Sequence, residues 1–171
     1  MKGLKSWAIA AVCLILVSAS PLLGIDARSN RATLKHVKGF AVLVEKLPAG
    51  VEGQGLSQSQ LQSDVELRLR NAGIKVLTRE ESAKTPGEPY LYININLNTA
   101  RTENDVYPYS IDLLFIQKVS LLRDTKVTSY AVTWSSGGVG SIGKEMLSEL
   151  RENVRDIVDI FVKAYKTENP K

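Results

Sequence analysis

The sequence predicts an α+β domain, a mixed and mainly antiparallel sheet of four to five strands with two helices packed on one face, in the order β-α-β-β-β-β-α. Three observations carry that reading. Residues 90–101 alternate, with Leu91, Ile93, Ile95 and Leu97 on one side and Tyr90, Tyr92, Asn94, Asn96 and Asn98 on the other, the pattern of a strand with one buried and one wet face. Residues 56–73 carry helix signals at both ends. Residues 141–166 repeat Leu147, Leu150, Val154, Ile157, Val158, Phe161 and Tyr165 at helical spacing, a stripe wide enough to face a core.

The elements follow in order. Residues 37–46 read as a central strand, because Phe40, Val42 and Val44 alternate with Ala41, Leu43 and Glu45 and both faces are largely apolar. Residues 47–55, rich in glycine, form a loop. In residues 56–73, Ser57 and Gln60 make an S-x-x-Q capping box, Leu56 and Leu61 sit where a hydrophobic staple needs them, and Gly73 before Ile74 fits a left-handed helix exit. Asp64 and Glu66 precede Arg68 and Arg70, which matches the helix dipole. Val65, Leu67 and Leu69 also alternate as a strand would, and the caps decide for the helix: Leu61, Val65, Leu69 and Ala72 then share a face and Leu67 is left outside. Residues 74–78 are a short strand and residues 79–89 a polar loop. Residues 109–122 and 125–135 are two further strands joined tightly at Arg123-Asp124. A glycine loop leads to the closing helix, with Ser141 as its cap, and residues 167–171 fray. The first strand-helix-strand unit gives a parallel pair and the later strands an antiparallel meander.

The chain opens as a secretory leader does. Lys2 and Lys5 precede an unbroken apolar run from Trp7 to Val17, eleven residues that end at Ser18, Ser20 and Pro21. A spanning helix needs about 20 apolar residues. Val17-Ser18-Ala19 supplies a cleavage signal, and Ile25-Asp26-Ala27 supplies a second, so cleavage is expected after Ala19 or Ala27. The alternative is an uncleaved anchor extended by Leu22, Leu23 and Ile25, the one membrane association the sequence offers. Residues 1–27 are thus read as leader and residues 28–171 as one domain, periplasmic or secreted. Cys13 lies within the apolar run, too early for a lipidated first residue.

Charge and cysteine exclude several function classes. The net charge of +4 includes the two leader lysines, so a chain cut after Ala19 keeps 20 basic residues against 18 acidic ones. A surface so nearly balanced gives no footprint for nucleic acid. Cys13 is the one cysteine, so the mature chain has no disulfide, thiolate nucleophile or thiolate metal site. His36 is the only histidine, and between Lys35 and Lys38 it reads as a surface residue. No cofactor is expected.

Two motifs overlap near the last helix. Gly138 to Lys144 spells G-x-x-x-x-G-K, but Glu145 stands where a phosphate-binding loop needs a serine or threonine hydroxyl, so no nucleotide is expected. Ser141 and Lys144 form an S-x-x-K, which in serine acyltransferases acting on cell-wall peptides sets a nucleophile one helical turn from its base. The companion S-D-N and K-T-G are absent. The acids of the last helix, Glu149, Glu152, Asp156 and Asp159, interleave with Arg151, Arg155 and Lys163 as on a solvated face. The chain is therefore read as non-catalytic, with a small cell-wall hydrolase or acyltransferase using Ser141 and Lys144 as the alternative.

The candidate binding surface is the wet sheet face: Tyr90, Tyr92, Asn94, Asn96 and Asn98, with Tyr109, Tyr130 and Trp134 on later strands that can neighbour them, and Tyr107 beside these. Rings interleaved with amides suit contact with a protein or a saccharide. The competing reading has the tyrosines finish the core edge and the asparagines merely solvated. An exposed strand edge is a second candidate surface.

Val132-Thr133-Trp134-Ser135, the run from Val154 through Arg155, Asp156, Ile157 and Val158 to Asp159, Phe161, and Asn169-Pro170 resemble a group of small exported bacterial proteins of uncharacterised function. The resemblance takes in Gly73-Ile74 and Pro89-Tyr90-Leu91 and implies no activity. In element order alone the chain is similar to the N-terminal domain of the Tol translocation protein and to lipopolysaccharide-assembly lipoproteins, envelope modules that bind and assemble. The expected function is an exported, non-catalytic binding or assembly module of the cell envelope, whose partner is an envelope protein or saccharide.

Overall fold

The computed structural model describes residues 24–48, 51–52, 55–98 and 106–170; the leader expected from the sequence therefore lies, over residues 1–23, outside the described residues. Four strands form one open mixed sheet in the order β1-β2-β3-β4, with β1 at Ala41–Val44, β2 at Tyr90–Leu97, β3 at Val106–Leu121 and β4 at Asp124–Gly143. β1 is parallel to β2, and the other two pairings are antiparallel. Helix α1 is Arg28–Arg31, α2 Gln58–Asn71, α3 Arg79–Ala83 and α4 Leu150–Glu168. The α+β class expected from the sequence is the one observed. No helix among the described residues is long and apolar enough to cross a membrane.

α2 forms where its caps place it; α4 follows its apolar stripe but begins only at Leu150, with no side-chain cap. The Ser57 hydroxyl accepts the Gln60 N–H at 3.3 Å, and α2 ends on Gly73 at φ +79°. Leu61, Val65 and Leu69 are buried while Leu67 is 57% exposed, so the helical reading of this stretch holds over the strand reading. From α4, Leu150, Val154, Ile157, Val158 and Phe161 enter the core, as does Leu147 from the 3-10 turn Lys144–Glu149 ahead of it. Phe161 is fully buried, with ring centroids 5.4 Å from Phe40, 5.6 Å from Phe115 and 5.1 Å from Trp134. Each such ring contributes about 1.5–3 kcal/mol by leaving water.

Several expectations are corrected. The first strand, expected to be central, is the edge strand of the sheet, because the short strand expected at residues 74–78 makes only one isolated parallel bridge, Phe40 to Val76, on its outer side. The polar loop after it contains α3, where Thr78 and Glu81 form a reciprocal capping box. The glycine loop is strand: β4 runs to Gly143, and Ser141 pairs with Pro108 instead of capping a helix. Close backbone approach explains the glycines. A Cβ on Gly137 would stand 2.5 Å from the Ile111 carbonyl oxygen, and one on Gly140 would stand 2.6 Å from the Tyr109 hydroxyl.

The expected fraying at the end is absent up to Asn169. Its amide nitrogen donates to the Leu34 and Tyr165 carbonyls at 2.9 and 3.0 Å, and its oxygen accepts the His36 N–H at 2.8 Å. His36 is exposed, as expected, and its φ of +63° is held by that clasp. The turn before β1 is thereby tied to the end of α4.

Packing also reaches upstream of residue 28. Ile25 and Ser135 exchange hydrogen bonds, the Ile25 N–H to the Ser135 hydroxyl at 2.8 Å and the Ser135 N–H to the Ile25 carbonyl at 3.2 Å. Residues 24–27 thus lie against the outer edge of β4 before entering α1.

Candidate functional site

With the helices on one face, the register defines what the other face presents. One row across the sheet is Ala41, Tyr90, Ile116 and Val132; the next is Leu43, Tyr92, Leu114 and Ser135. Further along come Asn94, Asp112 and Gly137, then Asn96, Ser110 and Val139. The face therefore grades from apolar and aromatic to amide and hydroxyl. Tyr90, Tyr92, Leu43, Leu114 and Ile116 are half-buried, while Tyr130 and Val132 are exposed. Asn96 is exposed and its amide donates to the Ser110 hydroxyl at 3.2 Å. Asn98 lies just past β2 and is also exposed.

The structure brings together Tyr90, Tyr92, Asn94, Asn96 and Tyr130 on this face, with Asn98 at its end, and takes Tyr109 and Trp134 away from it. Tyr109 shares the parity of Ile111, Leu113 and Phe115, and its hydroxyl accepts the Asn153 amide of α4 at 2.8 Å on the helix side. Tyr107 likewise packs against the core. Trp134 is fully buried. By simple alternation it would share a face with Tyr130 and Val132, but β4 bulges between the Phe115–Trp134 and Ile116–Val132 pairs, and one extra residue turns Trp134 inward. The Trp134 Nε1 donates to Asp26 Oδ1 at 2.6 Å.

The aromatic end of the face holds a cluster that alternation alone does not reveal. Glu88, in left-handed backbone at φ +42°, accepts the Lys118 ammonium at 2.7 Å and the Tyr130 hydroxyl. The Tyr130 ring meets Tyr90 edge-on at 6.2 Å. The hydrogen bond from Lys118, and then that from Tyr130, hold the Glu88 carboxyl below its ordinary range, while the bond to Glu88 raises the Tyr130 phenol. Beside this cluster is a depression of about 230 Å³ lined by Ala41, Leu43, Arg79, Ala83, Glu88, Tyr90 and Tyr130. The sequence signal for it was the parity of Lys118 with Ile116 and Leu114. Glu88 had none, because a proline-flanked turn carries it there.

Another depression, about 180 Å³, lies between α2 and α4, but the Arg151–Asp64 and Arg68–Asp159 ion pairs occupy its rim. The two sheet edges differ. At β1, the Gln58 amide donates to the Val44 carbonyl at 2.7 Å, and Gln62 serves Val42 and Val44, so side chains of α2 close that edge. At β4, among the described residues, no backbone hydrogen bond reaches the outer edge beyond Ser135, and residues 127–143 carry no charge. Such an edge is a template for an added strand.

The face presents aromatic rings, amides, hydroxyls and two acids, Glu88 paired with Lys118 and Asp112 opposite Asn94. Ser141 lies on β4 and Lys144 just past its end, so the serine is not one helical turn before the lysine. Gly138 to Gly143 is likewise strand, and Lys144 opens the 3-10 turn, in place of a phosphate loop. Among the described residues no group of three or more His, Cys, Asp or Glu is placed to hold a metal ion.

No family model matches the chain, and no curated protein matches its sequence. Among solved structures it is similar to a single-residue variant of the PelC dodecamer from Paraburkholderia phytofirmans, at 14% identity over 77% of this chain and 92% of that one, with a TM-score of 0.43. It is also similar to a minor lipoprotein from Acinetobacter baumannii, at 11% identity over 77% of this chain and 93% of that one, with a TM-score of 0.29. No activity or partner follows from likenesses of that size.

Proposed function

We propose that this chain is an exported, non-catalytic binding or assembly module of the bacterial cell envelope, and that it holds an envelope protein or saccharide on its open sheet face. One observation carries the reading: Leu43, Tyr90, Tyr92, Leu114 and Ile116 form an apolar field on the face opposite α2 and α4, continued by the exposed Tyr130 and Val132. A sheet face that serves only to meet water is polar throughout, whereas this one keeps a continuous apolar field between its Asn94–Asn96 end and the Glu88–Lys118–Tyr130 cluster at the other. The uncharged β4 edge adjoins the field and offers backbone groups to a partner strand. The place of Ser141 on a strand supports the non-catalytic reading.

The test is affinity capture from envelope extracts, with melting temperature as the control. Leu114→Lys and Tyr92→Ala are expected to lose the captured partner while the fold melts cooperatively and close to wild type. Turnover in a broad hydrolase screen that Ser141→Ala abolishes would overturn the proposal.

A further inference from the structure

Asp26 is bound into the domain, although the sequence places it inside a cleavage signal. Its carboxylate accepts the Trp134 indole N–H at 2.6 Å and the Arg31 guanidinium at 2.7 and 2.5 Å, and its side chain is 9% exposed. Around it, Gly24 packs so closely on β4 that an added Cβ would stand 2.4 Å from the Ser135 carbonyl oxygen. Ile25 and Ser135 exchange hydrogen bonds, and the Ala27 carbonyl accepts the Asn30 and Arg31 N–H groups that open α1.

We propose that the leader is cut at the Ala19–Ser20 bond and that residues 24–27 are a permanent part of the mature domain. The inference rests on the reading of the chain as exported. Cleavage after Ala27 would remove Gly24, Ile25, Asp26 and Ala27, and with them every contact just named. It would leave the Trp134 N–H, on a fully buried ring, without an acceptor, and a buried donor stripped of its partner is costly. It would also strip the Ser135 N–H, on a residue that is 7% exposed, of its Ile25 acceptor. Cleavage after Ala19 removes none of these and keeps a signal of the same kind, Val17-Ser18-Ala19.

The experiment expresses the full chain in an exporting bacterial host and reads the N-terminus of the envelope product by intact mass. A product beginning at Ser20 is expected, and Ala19→Arg is expected to accumulate uncut precursor. A product beginning at Arg28, from either chain, overturns the proposal. An intact Met1 in the unaltered chain overturns it by a different route, because then the export reading has failed as well. A second measurement uses fluorescence. Removal of the leader takes Trp7 away and leaves Trp134 as the sole indole of the two in the sequence. Asp26→Asn in the mature protein is expected to shift its emission and to move the unfolding equilibrium by about ten- to a hundredfold, as loss of a hydrogen bond to a charged group does. Unchanged emission together with an unchanged melting temperature would overturn the structural role given to Asp26.

Discussion

Gln62 pairs with Val44 as a neighbouring strand would: its side-chain oxygen accepts the Val44 N–H at 3.1 Å while its amide nitrogen donates to the Val42 carbonyl at 2.9 Å. A helix side chain thereby finishes the edge of a parallel pair. Gln62→Leu keeps the bulk and removes both edge bonds, along with the bond its amide donates to Glu66 on the helix surface. The expected cost is about 1–3 kcal/mol, the sum for two ordinary hydrogen bonds, read by urea melts. The exposed edge should also associate, so the variant is expected to sediment as dimers or larger species at concentrations where the parent does not.

Phe161 sits between Phe40, Phe115 and Trp134, and all four rings are fully buried. Phe161→Ala is expected to cost about 3–5 kcal/mol in stability, the range for large buried aromatics. A variant that kept its melting temperature while losing a partner would show the α4 stripe to be an interface.

Acid should weaken the fold through Asp26. The hydrogen bond from Arg31, against some opposing desolvation and aided by that from Trp134, holds its carboxyl below the ordinary value of 3.8. A carboxyl depressed in the folded state adds stability that is fully present above its unfolded pKa and is lost as pH falls through the folded value. Melting temperature is therefore expected to fall as pH drops from about 5 toward 2, and Asp26→Asn to flatten that limb. Glu80, exposed, and Glu88, half-buried, are shifted the same way, so a shallow slope should persist in the variant.

Asn169 joins the last helix to the turn before β1 through three hydrogen bonds. Asn169→Ala is expected to cost about 1–3 kcal/mol and to release the His36 turn, visible as faster exchange of the His36 and Val37 amides. Full protection in the variant would show that the Tyr165 hydroxyl on the Val37 carbonyl holds the turn alone.

The elements legible in the sequence were those whose local chemistry agrees with their packing. β2 alternates without a break, α2 carries signals at both ends, and the α4 stripe is wide. The misreadings come from residues whose meaning depends on a distant neighbour. Gly137 and Gly140 look like a loop, yet they are small because Ile111 and Tyr109 press against them. Trp134 looks like a face residue because period-two counting does not register a bulge, which depends on pairing with β3. Asn169 looks like a frayed tail because its partners Leu34 and His36 lie far upstream in the chain. Of the candidate face, alternation placed the β2 residues and Tyr130, while Glu88 and Lys118 needed the turn and the third strand.

The hairpin of β3 and β4 outruns the rest of the sheet. β2 pairs with β3 only as far as Ile116, while the β3–β4 ladder continues to Leu121 and Asp124, with Leu122 wholly exposed at the tip. Beyond the sheet it is a two-stranded ribbon, and a ribbon of that kind holds itself together weakly. Its base is strapped by the Gly87 carbonyl on the Lys118 N–H and by Glu88 on Lys118 and Tyr130, beside the depression that Tyr90 lines. The molecule thus has a gradient of local unfolding free energies, from amides at residues 119–129 that open on their own to amides of β2 that exchange only when the whole domain unfolds. Anything that settles against Tyr90 and Tyr130 tightens the base of that ribbon, so occupancy of the sheet face would be read as slowed exchange at its tip.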